Sequence, residues 1–188
     1  MTQVCMDIFF IQNTVFNGQP YDSVALCVDR LSGWIVAVPC KRGSITAEWL
    51  GEQMFTQHWR FFGTPAVITS DQGPQFIGRW WRTLCAKMGI RLAYSQPYHH
   101  QANGRAEVAG QVVINKLRMA NQDTGENWVE LLPHVLDLVH DTPGESGFSP
   151  YQLLFGRERP IQGLPYQIPQ EAADARLFVR RMARLREQ

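Results

Sequence analysis

The chain has 188 residues, of which 45% are hydrophobic and 19% charged, and its formal net charge is +1. That length suits one compact domain with a hydrophobic core, and the composition is that of a globular protein, not a disordered or fibrous one. The near-zero charge excludes bulk basicity as a means of gathering nucleic acid, and no apolar run approaches the ~18–20 residues of a membrane span. Charge is unevenly spread: residues 1–170 carry 13 basic and 14 acidic side chains, whereas 171–188 carry five Arg and three acids. Any contact of the main body with DNA must therefore use local patches.

The start, Met1-Thr2-Gln3-Val4, shows no basic region followed by an apolar segment, so no secretory signal is expected. Val4 to Ile11 reads as a first strand, Asn17 to Pro20 as a turn, Ser23 to Asp29 as a second strand and Trp34 to Pro39 as a third. Three strands joined by two short connections predict an antiparallel meander. Asp29, next to its turn, reads as a turn-capping Asp in preference to a metal ligand. Ser44 is placed as the N-cap of a long helix reaching Phe62, with Ala47, Leu50, Met54 and Phe61 on one face and Gly63-Thr64-Pro65 as the stop. Its further aromatics, Trp49, Phe55, Trp59 and Phe62, recur at helical spacing and suit core and subunit contacts better than base stacking.

Ala66 to Thr69 is a short fourth strand. A helix follows with Phe76, Trp80, Leu84 and Met88 as one buried stripe ending at Gly89, and Ile90 to Tyr94 is a fifth strand. Ser95 to Gly104 is a polar loop, a candidate mobile active-site loop. A helix from about Ala106 carries Ala106, Ala109, Val113, Leu117 and Ala120 on one face, and Glu126 to His140 forms another amphipathic helix. A short helix follows Ser149-Pro150, residues 157–169 are rich in Pro and Gly, and Gln170 to Gln188 reads as an Arg-rich helix. Residues 1–160 are thus read as the core, and 161–188 as linker and terminal helix. The four cysteines, Cys5, Cys27, Cys40 and Cys85, are unpaired in spacing and flanked by apolar residues, as reduced thiols of an intracellular protein would be. No cysteine pair stands at zinc-finger spacing from His99-His100. This pattern of elements alone gives an α/β fold.

Three acids stand out. Asp7 lies inside the apolar run Val4 to Ile11, where a charge is costly unless paired or bound to a cation. Asp71 ends the strand before Gly73-Pro74, and Glu107 opens a helix after an interval of thirty-five residues. If the three converge, they make a hard, all-oxygen site of the kind Mg²⁺ or Mn²⁺ prefers. Two such cations held ~3.5–4 Å apart neutralise the entering and leaving oxygens of phosphodiester chemistry. Taken singly, Asp71 is more often a turn or helix cap, and Glu107 a solvated helix acid or first-turn dipole partner. His99 and His100 suit DNA contact or loop capping. Arg105, Lys116 and Arg118 lie near Glu107 along the helix and could meet phosphates, although exposed helix cations are common.

At these residues the chain resembles a known family, the catalytic core of retroviral and LTR-retrotransposon integrases, closest to the gypsy type. The resemblance rests on Asp7 in its apolar strand, Val28-Asp29-Arg30-Leu31-Ser32-Gly33, Ser70-Asp71-Gln72-Gly73-Pro74-Gln75-Phe76, Tyr98 to Glu107, and Ser149-Pro150-Tyr151 with Gly156. It implies a ribonuclease-H-like α/β fold, a five-stranded mixed sheet flanked by helices. It also implies two Mg²⁺ ions, replaceable by Mn²⁺, and two reactions at one site: 3′-end processing of the element's DNA, then strand transfer into target DNA. By the same resemblance Asp7, Asp71 and Glu107 are the catalytic metal ligands. Gln101, Asn103 and Gly104 belong to the loop that meets DNA, with His99, Arg105 and Lys116 beside it. The long amphipathic helices would join a homodimer or higher oligomer, with no membrane and a nuclear location expected.

The chain departs from the family at His100, where Pro is usual, and at Arg105, where Gln is common. After Glu107 the family commonly runs Arg-x-Asn, but here the residues are Val108-Ala109-Gly110, and Gln111 stands where a basic residue is frequent. The family's N-terminal zinc-binding and C-terminal DNA-binding domains have no counterpart in these residues, so weak activity is expected of the core in isolation. Two rivals follow: a domesticated scaffold that binds DNA or protein without recombining DNA, and a plain nuclease of the same fold.

Overall fold

The computed structural model describes residues 1–95, 104–144 and 146–160, without the side chains of Arg105 and Asp123. The expected polar loop, but for Ser95 and Gly104, and the Arg-rich C-terminal stretch, including the expected last helix, lie outside the described residues. Five strands form one mixed sheet: β1 (Gln3–Phe16), β2 (Gln19–Asp29), β3 (Ile35–Cys40), β4 (Val67–Ser70) and β5 (Arg91–Tyr94), in the order β3-β2-β1-β4-β5. β1 to β3 form the expected antiparallel meander, and β4 and β5 join parallel to β1 and to each other.

The first hairpin is tighter than the sequence suggests. Only Asn17 and Gly18 turn, with φ of 50° and 74°, while Gln19 and Pro20 already pair with Phe16 and Val15. Positive φ at both positions is the turn whose twist matches the flanking strands, and Asn-Gly tolerates it best.

Alternation along the strands gives the sheet two buried faces. On one, Ile11, Val24, Leu26, Val28 and Ile35 pack against α5 (Gly104–Thr124) and α6 (Trp128–Asp141) through Val113, Leu117, Trp128, Leu131 and Val135. On the other, Val4, Met6, Cys27 and Ile68 meet α1 (Ala47–Met54), α3 (Pro74–Ile77) and α4 (Arg79–Lys87) through Leu50, Met54, Phe76 and Trp81. All four cysteines are buried, as their apolar flanks suggest.

Two helices are phased differently from their sequence pattern. Helix α1 is capped by Thr46, whose Oγ1 accepts from Trp49 N at 3.1 Å, while Ser44 falls in a separate 3₁₀ turn, Arg42–Ser44. The helix then passes through a π-helical turn, Phe55–Trp59, before its last turn, α2 (Arg60–Phe62). The wider turn rotates everything after it, so His58 and Trp59 are buried and Phe61, expected in the core stripe, is 62% exposed. The second helix is broken at Gly78, where φ is −57° and ψ 148°. The break resets the phase of α4: Trp81 and Cys85 enter the core, whereas Trp80 and Met88 stand partly in solvent, against expectation.

The far end of the domain is pinned at β3. The His140 ring stacks on the Trp34 indole at 3.7 Å between centroids, and its Nε2 lies 3.0 Å from the Ile35 carbonyl oxygen. Burial lowers the His140 pKa to about 4, as it does that of His58. Helix α7 (Pro150–Phe155) begins with a reciprocal cap: Ser149 Oγ accepts from Gln152 N, and Gln152 Oε1 accepts from Ser149 N. Among the described residues, no helix is long and apolar enough to cross a membrane.

Candidate active site

The register of β1 and β4 brings the first two acids level. The last parallel pair is Met6 with Ser70, so the next residue on each strand is Asp7 and Asp71. Neighbouring strands run ~4.8 Å apart, which sets the two carboxylates side by side at the carboxyl end of β4. Beyond Ser70 the chain turns: Asp71 Oδ1 accepts from Gly73 N at 3.0 Å, and Gly73-Pro74 opens α3. The turn-capping reading of Asp71 is therefore real, but it occupies one oxygen and leaves the residue exposed beside Asp7.

Glu107 comes from the other direction, on the first turn of α5. A close approach of α5 to β1 positions it. A Cβ on Gly110 would lie 2.3 Å from Phe9 Cζ, so only glycine admits the Phe9 ring at this point. Phe9 shares the sheet face of Asp7, two residues away, and Gly110 shares the helix face of Glu107, one turn away. The Phe9–Gly110 contact thus draws the first turn of α5 across the strand that carries Asp7. Of the departure Val108-Ala109-Gly110, the glycine is explained by packing against Phe9 of β1, whereas Val108 is exposed.

The electrostatics record the convergence. The Asp7 pKa is raised to about 6, first by burial, then by the charges of Asp71 and Glu107, against the opposing effects of the Ile8 N–H (2.8 Å from Oδ1) and the Arg42 guanidinium. Arg42 sits just past β3, and no spacing in the sequence marked it as a neighbour of Asp7. Among the described residues, no three His, Cys, Asp or Glu side chains stand close enough to form a ready-made metal cage. The three carboxylates share a field without closing on one point.

The other expected residues separate. Asp29 caps its turn: its Oδ2 accepts from Ser32 N at 2.8 Å and from Ser32 Oγ at 2.7 Å, deep in the protein. Gly104 begins α5. His99, Gln101 and Asn103 lie outside the described residues, as does the side chain of Arg105. Lys116 follows Glu107 by nine residues, two and a half turns, and so sits on the opposite side of α5, whereas Arg118 returns to the Glu107 side. Between them on that side, Gln111 Nε2 donates to Asn115 Oδ1 at 2.8 Å.

The chain matches the integrase core domain family over residues 1–100. It belongs to that family. It is 30% identical over 141 residues to the Gag-Pol polyprotein of avian reticuloendotheliosis virus, covering 75% of this chain and 12% of that protein. To the Gag-Pol polyprotein of feline leukemia virus it is 32% identical over 144 residues, again 75% of this chain but 8% of the relative. The integrase core thus spans about a tenth of the length of these relatives. Among solved structures it is similar to a chain of the simian T-cell lymphotropic virus intasome, with TM-score 0.69 and 19% identity over 90% of this chain and 57% of that one. It is similar also to the HTLV-2 integrase catalytic core domain in complex with magnesium, with TM-score 0.62 and 18% identity over 80% of this chain and 94% of that one. The fold of this integrase core is ribonuclease-H-like, with the five-stranded mixed sheet that the sequence implies.

Proposed function

We propose that this integrase core processes DNA 3′ ends and transfers them into target DNA, with Asp7, Asp71 and Glu107 as its metal-binding catalytic residues. The observation that carries the reading is the condition of Asp7: a half-buried strand carboxylate destabilised by the charges of two other acids. The all-oxygen donor set fits Mg²⁺ or Mn²⁺, two ions by the logic of in-line displacement. Bound there, the ions would neutralise charge on the attacking and leaving oxygens of the phosphodiester.

The protein's own part is positioning. Asp7 is fixed by the central strand, Asp71 by its turn onto α3, and Glu107 by the Phe9–Gly110 contact. Glu107 rides on the helix that follows the loop of His99, Gln101, Asn103 and Gly104, and this link supports that loop, with Arg105, as a DNA contact. Lys116, on the far side of α5, is supported less well than Arg118. Exposed Phe55 (54%) and Phe61 (62%) offer an apolar face that a second copy would cover, in keeping with a homodimer or larger assembly acting on DNA in the nucleus.

The test has two stages. Calorimetry with Mn²⁺ should give heat for the wild type and none for Asp71→Asn. Strand transfer from a 3′-end donor should fall by at least about a thousandfold in Asp71→Asn and in Glu107→Gln. Equal metal binding by wild type and Asp71→Asn would sink the reading. The residues after Glu107, Val108-Ala109-Gly110 and Gln111, favour one alternative, a scaffold that binds DNA without recombining it. DNA binding with neither metal heat nor transfer products would select that alternative.

A further inference from the structure

Between Asp71 and Glu107 the sequence carries five basic residues, Arg79, Arg82, Lys87, Arg91 and Arg105, and no acid at all. The rest of the chain holds thirteen basic residues against seventeen acids, so the near-zero net charge conceals one strongly basic block. Three of its cations, Arg79, Arg82 and Lys87, stand on α4 at positions i, i+3 and i+8. With Thr83 and Ala86 they form one shallow, open face of α4. All five residues are exposed, opposite the buried Trp81 and Cys85. The Gly78 break produces this phase. Among the described residues, no ion pair involves the three cations.

The direction of the helix ties this face to the carboxylates. Helix α4 connects two parallel strands, so it runs antiparallel to them, and its first turn lies at the end where β4 delivers Asp71. Arg82 lies close enough to the Tyr94 hydroxyl, at the same end of β5, to act on it electrostatically. That hydroxyl donates to the Phe76 carbonyl oxygen at 3.0 Å, and Ser95 N donates to Ser70 O at 3.0 Å. The basic stripe therefore starts beside the strand end that carries Asp71 and leads away from it. Arg79 to Lys87 spans ~12 Å of helix axis, enough for three cations to meet separate phosphates of one strand.

We propose that the basic face of α4 is a second DNA-binding surface, a track for the phosphates of duplex DNA next to the carboxylate site and distinct from the loop that precedes α5. The proposal rests on the DNA-processing reading above for its choice of polyanion. Arg79 and Arg82 hold the phosphates nearest the site, Thr83 offers a hydroxyl, and Lys87 holds the outermost phosphate. The contacts involve no bases, so binding is independent of sequence and strongly salt-dependent.

The test is fluorescence anisotropy of a short labelled duplex titrated with the full 188-residue chain across a range of KCl, with EDTA present so that binding is read without chemistry. In the triple variant Arg79→Gln, Arg82→Gln, Lys87→Gln, the slope of log K against log salt should shrink by about 2.7, which is ~0.9 for each of three phosphates. Affinity at low salt should fall about tenfold or more. The charge-preserving variant Arg79→Lys, Arg82→Lys, Lys87→Arg should keep the wild-type slope, and thermal melting should show both variants folded. A triple variant with the wild-type slope would overturn the proposal, as would a wild type that does not bind the duplex. The two readings fail separately. A wild type that shows the charge-dependent slope but no strand transfer on adding metal leaves the track standing and sinks the enzymatic reading. Intact strand transfer with an unchanged slope in the triple variant does the reverse.

Discussion

Asp7 and His140 are both titratable side chains that burial pushes towards neutrality, yet they keep opposite company. His140 lies flat on Trp34, has the Ile35 carbonyl oxygen within 3.0 Å, and sits with a pKa near 4 as a neutral ring that holds α6 to β3. Asp7, pushed up to about 6, faces two further acids. The surroundings of the histidine satisfy its neutral form; burial and two neighbouring acids oppose the charge of the carboxylate, against the Ile8 N–H and Arg42, which favour it. A perturbed pKa alone does not separate structure from function. What separates them is the company: a neutral ring set among an indole and a backbone carbonyl, against a carboxylate set among other carboxylates.

The largest effect expected from this contrast is on acid stability. His58 and His140 have pKa values near 4 in the fold against 6.5 ordinarily, so the unfolded chain binds their protons first. The stability tied to each is whole above pH 6.5 and is lost as the pH falls from 6.5 towards 4, up to about 3 kcal/mol apiece. In His140→Leu the acid limb of a urea-unfolding series should flatten by about half. At pH 7.5 the variant should lose about 2 kcal/mol, because the Ile35 backbone is left unpaired. Metal binding should be untouched. An acid limb unchanged by the substitution would mean that the ring is not held neutral by burial.

The carboxylate side should respond in the opposite sense. A folded pKa above the ordinary 3.8 means that the charged form of Asp7 weighs against the fold, a penalty that grows as the pH rises from 3.8 to about 6 and stays full above it. Asp7→Asn should therefore stabilise the metal-free protein at pH 7.5 by about 1–2 kcal/mol, after discounting for the water that still reaches this half-buried group. It should also abolish the gain that Mg²⁺ gives the wild type, about 1.4 kcal/mol at a tenfold excess over Kd. An apo variant no more stable than wild type, or one still stabilised by Mg²⁺, would erase the distinction between the two sites.

Much of this was legible in the chain itself. An Asp in the middle of an apolar strand, a strand ending in Asp71 before Gly-Pro, and a helix opening on Glu107 are local signals, and local signals survive into the fold. What the pattern misplaced depends on phase. The π-helical turn at Phe55–Trp59 moves Phe61 out of the core, and the break at Gly78 moves Trp80 and Met88 outwards and turns Arg79, Arg82 and Lys87 into one stripe. A single residue of slip is invisible to periodicity counted over a whole helix. Arg42 beside Asp7 and Phe9 beneath Gly110 are contacts across the sequence, and nothing in their spacing foretells them.

The Phe9–Gly110 contact gives the smallest effect and the finest test, because it links packing to the position of Glu107. Replacing Gly110 with Ala in mid-helix would ordinarily gain about 1 kcal/mol from propensity. Here the new methyl meets the tip of the Phe9 ring at 2.3–2.6 Å, and overpacking of this kind costs ~1–3 kcal/mol. The net expectation is a loss of about 1 kcal/mol in Gly110→Ala, since the ring tip can yield only by moving α5 or by turning into its neighbours. Phe9→Leu removes the ring tip, so the double variant should recover the helix gain, with a coupling of at least about 1 kcal/mol in a double-mutant cycle. Glu107 lies one turn from Gly110, so Gly110→Ala should also weaken Mn²⁺ binding, and Phe9→Leu should restore it. Additive stabilities together with unchanged metal affinity would show that Glu107 is positioned by the rest of α5 and that the glycine is an accident of sequence.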